Sequence, residues 1–361
     1  MKKQGFGKTI GRIWSQYSYI FVFLIILAGY AFTTEINGNT FKFSHVAAIL
    51  ASQNTVIVGT IALGMAFIII TGQIDLSVGS SLVLTTGCCI MVFNMTNSIA
   101  LMVLTALAVG ALCGLINGLL VGFGKMPPFV VTLGTMLIYR SLTLSVVRKI
   151  DPAISGSSSS QFAMMSANSK YDFIRMQFGV GKLKFGSFSI PYIFFVFLAM
   201  AILFIVISRV TKYGKSIYAV GSNDKSARLA GINVTGVKIS VFVLIGVCVG
   251  VASVMQASKI GNVTPASSGQ SYEMYAIASV VLAGVNMAGG RGSLLGVIFG
   301  ALSYTTIGFI ITSTGLSVDI QDTFQGLVLI VVILIQTAGP AIKESIQQSK
   351  RRRLSAKQKA A

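Results

Sequence analysis

Apolar residues run along this chain in blocks of about 16 to 25 positions, the length an α-helix needs to cross the hydrocarbon of a bilayer. Blocks at 18–32, 46–71, 76–95, 99–122, 129–147, 190–208, 237–256, 275–288, 293–312 and 323–337 predict an all-α polytopic bundle of about ten transmembrane helices. Two long polar connections interrupt them, at 148–189 and 209–238. The second carries helix signals of its own. Asn223 is placed to cap a helix N-terminus, Asp224 puts a negative charge in the first turn, Arg228 lies in the last turn, and Gly231 suits the left-handed position that closes it. A two-turn helix from Asp224 to Ala230 does not persist alone in water, because nucleation outweighs so few propagating residues. Ala227, Ala230 and Ile232 give it a small apolar face beside Lys225 and Arg228, suited to a groove of another protein. The alternative is a loop helix packed on its own membrane domain.

Composition fits the span pattern. Of 361 residues, 54% are hydrophobic and only 10% charged, too little charge to cover a soluble domain. The net charge of +19 would suggest nucleic acid in a soluble protein, but the basic residues here sit in tails and loops. Lys2, Lys3, Lys8 and Arg12 precede the first span, and Arg351, Arg352 and Arg353 lie in the cluster after the last. Such clusters orient membrane proteins, so both ends are expected to be cytoplasmic and no nucleic-acid partner is expected. The organisation is then a basic tail at 1–17, a transmembrane domain at 18–337 and a basic tail at 338–361. An even span count puts 209–238, with six Lys or Arg against one acid, on the cytoplasmic side and 148–189 outside. The 148–190 stretch also holds six basic residues, which cuts against that assignment. No A-x-A cleavage site follows the first apolar stretch, so it is expected to remain as an uncleaved helix.

Small residues are spaced for close helix packing. Gly110, Gly114, Gly118 and Gly122 recur every fourth position, and Gly246 with Gly250, and Gly292, Gly296 and Gly300, repeat the device. Polar groups break the apolar pattern at 71–80, TGQIDLSVGS, with Gly72, Asp75, Ser77 and Gly79, and at 283–293, AGVNMAGGRGS, with Asn286 and Arg291. Interrupted segments in corresponding parts of two halves point toward a transport core. Asp75 and Ser77 also suit helix capping, and that reading stays open.

Catalytic chemistry finds little support. Gly7-Lys8-Thr9 and Gly214-Lys215-Ser216 look like the end of a phosphate-binding loop, but Lys2 and Arg209 stand where its first glycine belongs. His45 is the only histidine, and Cys88, Cys89, Cys113 and Cys248 fall inside apolar runs without metal-ligand spacing. The chain is expected to be no enzyme and to bind no cofactor or metal.

Four segments in order then carry a resemblance: GQIDLSVGS at 72–80, INGLLVGFGKMPPFVVTLGTM at 116–136, YGKSIYAVGSNDKSARLAGINV at 213–234 and LAGVNMAGGRGSLLG at 282–296. Over roughly 47–337 the sequence resembles the permease subunits of bacterial ABC importers of the ribose, xylose and galactose type. The resemblance implies a multi-pass protein of the bacterial plasma membrane, paired with a second copy or a close paralogue. It implies docking to ATPase subunits, which hydrolyse the ATP, and delivery of solute by an extracytoplasmic sugar-binding protein. It places the ATPase contact on Gly221, Asn223, Asp224, Ala227, Arg228 and Gly231. Gln73 departs from the family, which often has glycine there.

A sugar route needs uncharged polar groups, and Asn54, Asn117, Thr132, Thr135 and Asn286 lie in or beside spans. They are candidates for lining it. The rival reading is an ion-coupled secondary transporter in which Asp75 carries the proton or cation.

Overall fold

The computed structural model describes residues 6–157, 160–186 and 188–315, with scattered positions between 323 and 334. The tail at 338–361 and most of the apolar block at 323–337 lie outside the described residues. The described residues are mostly helical. The helices are α1 (Phe6–Ile36), α2 (Phe43–Ala51), α3 (Gly59–Ile70), α4 (Val78–Thr96), α5 (Ile99–Gly122), α6 (Pro128–Lys149), α7 (Pro152–Ser155) and α8 (Tyr192–Val210). They continue with α9 (Lys212–Ser222), α10 (Asp224–Leu229), α11 (Val234–Ile260), α12 (Tyr272–Leu282) and α13 (Leu294–Ser313). Among the described residues, 7 helices are long and apolar enough to cross a membrane, and the bent pair Phe43–Ala51 and Asn54–Ile70 raises this to 8.

Two predicted spans differ in shape. The block at 46–71 is not one straight helix but bends by 52° between Phe43–Ala51 and Asn54–Ile70, where Ser52 is extended (ψ 143°) just before a π-helical turn, Asn54–Val58. Beside the break the Thr55 hydroxyl donates to the Ile49 carbonyl at 2.7 Å and meets Thr305 Oγ1 at 2.9 Å, placing a side chain in the backbone ladder. The block at 275–288 begins earlier and stops at Leu282, where Gly284 turns left-handed (φ 80°). Eleven residues rise only about 16 Å, so α12 enters the bundle from a loop placed partway through its thickness. At the other end, α1 extends into the predicted 1–17 tail with a kink at Tyr17.

The glycine stripe does what its spacing predicts. On α5 and α11 the backbones touch: a Cβ at Gly110 would lie 2.3 Å from the Gly246 carbonyl oxygen, and one at Gly246 2.2 Å from that of Gly110. At Gly114 the Phe242 carbonyl oxygen lies 2.1 Å away. In the same manner α13 meets α12, with a Cβ at Gly300 placed 2.0 Å from the Ser279 carbonyl oxygen. Without a hydrophobic effect between helices in lipid, such approach supplies the dispersion and weak polar contacts that hold a bundle. The core on α3 and α11, with Ile61, Phe67, Phe242 and Ile245, is wholly buried.

Helix ends gather on two faces. On one, Asn97 after α4 donates to Ser169 at 2.6 Å, Asn94 donates to Ala163 at 2.9 Å, and Arg175 donates to the Ser258 carbonyl at 2.9 Å. There β1 (Phe162–Ala163) and β4 (Asn262–Val263) pair antiparallel, while β2 (Lys182–Phe185) and β3 (Phe188–Pro191) form a hairpin. On the other face lie the α3–α4 break, the α5–α6 turn, α9, α10 and the 283–293 loop. The 148–189 and 209–238 connections thus stand at opposite ends of α8.

Candidate functional site

The 209–238 connection forms a docked layer. Thr211 caps α9 by accepting from Gly214 N at 3.0 Å, and the Tyr213 hydroxyl bonds Ser240 Oγ at 2.7 Å. The Tyr218 hydroxyl donates to the Gly292 carbonyl at 3.0 Å, and burial pushes both phenol pKa values up. Then α10 forms with its predicted caps. Asn223 Oδ1 accepts from Ser226 N at 2.9 Å, and Gly231 (φ 80°) directs its own N–H to the Arg228 carbonyl and that of Ile232 to Ala227, each at 3.0 Å. Asp224 pairs with Lys238 of α11. The helix ends at Leu229, with Ala230 as its C-cap. Gly231→Val forces a β-branched residue into left-handed backbone and is expected to cost about 1–2 kcal/mol. A lower melting temperature in detergent, with the inserted yield little changed, checks it.

The sequence-derived contact surface needs one correction. Ala227 does not face outward: it is 4% exposed and packs into the chain's own core, with Ile232 against the same core. Gly221 is also internal, since a Cβ there would lie 1.7 Å from the Ile70 carbonyl oxygen. Asn223, Asp224 and Gly231 shape the helix; Lys225 and Arg228 are exposed. The residue that composition alone did not bring out is Leu229, which is 91% exposed at the end of α10 beside those two cations. Its signal was an apolar residue on the polar side of a capped helix. Asp224, Lys225, Arg228 and Leu229 border one surface hollow.

Immediately behind this layer the two glycine-rich breaks meet. Each begins with the same helix ending: Gly72 N bonds Ile69 and Gln73 N bonds Ile68 after α3, and Gly284 N bonds Val281 and Val285 N bonds Val280 after α12. Gly290 N then donates to the Ile70 carbonyl at 2.8 Å, tying one break to the other. The parallel seen in sequence is therefore a physical contact, with Gly221 wedged beside it. Gln73 lies here too, 5% exposed, its side-chain amide without a hydrogen-bond partner among the described residues.

Within the first break Asp75 acts as a capping group. Its Oδ1 accepts from Ser77 N at 2.8 Å and from Ser77 Oγ at 2.7 Å, and Asn117 Nδ2 of α5 donates to Ser77 Oγ at 2.8 Å. Asp75 is 2% exposed. Asparagine keeps the accepting oxygen, so Asp75→Asn is expected to preserve folding and most uptake; complete loss of uptake with normal insertion would support ion coupling through this carboxylate. Gly79, one turn further, fits where a Cβ would lie 2.2 Å from the Gly269 carbonyl oxygen.

The five candidate route residues form no common hydrogen-bonded group among the described residues, and Thr132 and Thr135 lie one turn apart on α6. Asn54 opens the π turn, Asn117 braces Ser77, and Asn286 lies in the second break, accepting from Ala288 N at 3.0 Å. Thr132 and Thr135 are buried and donate back to Pro128 and Val131 at 3.0 and 3.1 Å. Such hydroxyls satisfy their own helix.

A bundle of glycine-packed membrane helices, broken twice at one face beneath a capped surface helix, defines the chain as a transport permease. Residues 47–333 match the family described as branched-chain amino acid transport system / permease component, and the chain belongs to it. It is 35% identical to the ribose import permease protein of Bacillus subtilis over 77% of this chain and 80% of that one. To the fructose import permease protein of Rhizobium meliloti it is 33% identical over 86% and 83%, and to the galactose/methyl galactoside import permease protein of Escherichia coli 31% over 79% and 84%. No solved structure matches the chain. By this membership the chain is a multi-pass permease subunit of an ABC importer, the class that its four sequence segments resemble.

Proposed function

We propose that this permease forms the membrane pathway for a sugar, powered by ATP hydrolysed on separate ATPase subunits that dock on α10. The observation that carries the reading is the capped helix itself. Its buried Ala227 fixes it rigidly to the bundle while Leu229, Lys225 and Arg228 stand free of the chain. An exposed leucine between two cations suits an apolar pocket with an acidic rim. A self-sufficient secondary transporter has no use for such a projection. Movement imposed on α10 passes through Asp224–Lys238 to α11 and through Gly221 to the joined breaks. In this arrangement the 209–238 face is cytoplasmic, both termini lie on that side of a bacterial plasma membrane, and the 148–189 face receives a sugar-binding protein. About ten spans and a partner permease, either a second copy or a close paralogue, complete the assembly. The test is copurification: the ATPase subunit should stay bound through detergent extraction and be lost when α10 is deleted, whereas retention without α10 refutes this docking site.

A further inference from the structure

Arg140 sits on α6 about 18 Å along the axis from Pro128 and about 14 Å from Lys149, near the middle of a span. Its Nη1 donates to the carbonyls of Pro265 and Ser268, each at 2.7 Å, pinning the loop that leads into α12. The first turn of α12 brings Glu273 to the same place, with its Oε2 against Gly79. Among the described residues Arg140 and Glu273 make no direct ion-pair contact, but they lie close enough to attract one another. Both border a cavity of about 540 Å³ with Ser80, Gln270 and Leu137. Gln270 uses its Nε2 on Ala266, at 2.8 Å, and leaves its oxygen free to accept.

Charges at mid-span are costly against lipid, so a wall that carries both signs belongs to water or to a polar solute. The chemistry selects the solute. A carboxylate accepts from hydroxyls, the remaining guanidinium N–H groups donate to ring and hydroxyl oxygens, and an amide and a serine hydroxyl serve either way. Opposite charges cancel, so a neutral polyol leaves none uncompensated. Leu137, 66% exposed, offers a surface for the C–H face of a pyranose or furanose.

Resting on the reading of the chain as a sugar permease, we propose that the cavity between α6 and the start of α12, with Glu273, Arg140, Gln270 and Ser80, is a transient subsite for a neutral sugar. Asn54, Asn117, Thr132, Thr135 and Asn286 then serve the bundle, and the solute passes along this wall instead.

The test uses the whole importer, with ATPase and binding protein, in proteoliposomes carrying a Cys88→Ser background. Leu137→Cys and Gln270→Cys are each treated with a charged, membrane-impermeant methanethiosulfonate, while labelled ribose, fructose, galactose and xylose probe uptake. Both cysteines are expected to react in at least one nucleotide state, and the transported sugar should slow the reaction. Glu273→Gln keeps shape but weakens a charge-assisted hydrogen bond, so uptake should fall about tenfold or more while ATPase stimulation by the liganded binding protein persists. Wild-type uptake together with cysteines inert in every state, or with unaffected uptake by Glu273→Gln, overturns the subsite. If the wild-type importer carries none of the four sugars, the sugar reading fails and the subsite falls with it.

Discussion

Leu229→Asp is expected to leave the permease folded and inserted while stripping the ATPase from it. Leu229 touches nothing that the bundle needs, being 91% exposed, so melting temperature should match wild type. Its full burial in a partner pocket contributes about 1.5–3 kcal/mol, and a carboxylate taken into that pocket adds a desolvation penalty. Loss of affinity should therefore reach about a hundredfold or more, enough to abolish copurification and sugar uptake together. Ala227→Trp separates docking from folding. Ala227 belongs to the permease's own core, so an indole there overpacks it and costs about 1–3 kcal/mol or more in stability. Normal copurification by Leu229→Asp would remove α10 as the contact.

The second large effect lies inside the membrane. Gly114→Leu places a Cβ about where the Phe242 carbonyl oxygen stands, 2.1 Å away, and the obstacle is backbone on a facing helix, not a side chain that can rotate. With α5 and α11 held apart, the contacts at Gly110 and Gly246 are lost as well. Little or no folded protein should be recovered from the membrane. Gly134→Ala is the control: a Cβ at Gly134 meets nothing within 4 Å, so the change should be silent or add up to about 1 kcal/mol through helix propensity. Equal yields for Gly114→Leu and wild type, measured by detergent size-exclusion chromatography, would contradict the packing account.

The contrast between these sites marks what the residue pattern reveals. Features set by local chemistry were legible: the caps of α10 at Asn223 and Gly231, the small-residue stripe on α5, and the paired breaks at 71–80 and 283–293. Each follows from backbone needs within a few residues. Features set by distant partners were not legible. Ala227 and Leu229 are neighbours on a two-turn helix, and which of them faces inward depends on where α11 and the breaks lie. The bend between Ala51 and Asn54 has no proline or glycine of its own and lies beside Thr55, which meets Ile49 and Thr305. Thr132 and Thr135 donate to their own helix, which their polar character alone does not show. Arg140 has a wrong-looking chemistry for a span, and its partners Pro265 and Ser268 lie more than a hundred residues away. Legibility failed where function depends on tertiary placement.

The most direct measurement is sugar uptake into proteoliposomes containing the purified permease, with the ATPase subunit and the binding protein added in turn. Uptake that requires both, together with ATP, and that collapses with Leu229→Asp while surviving Asp75→Asn, is the predicted result. Uptake driven by an ion gradient through the permease alone, without nucleotide, and abolished by Asp75→Asn would contradict it.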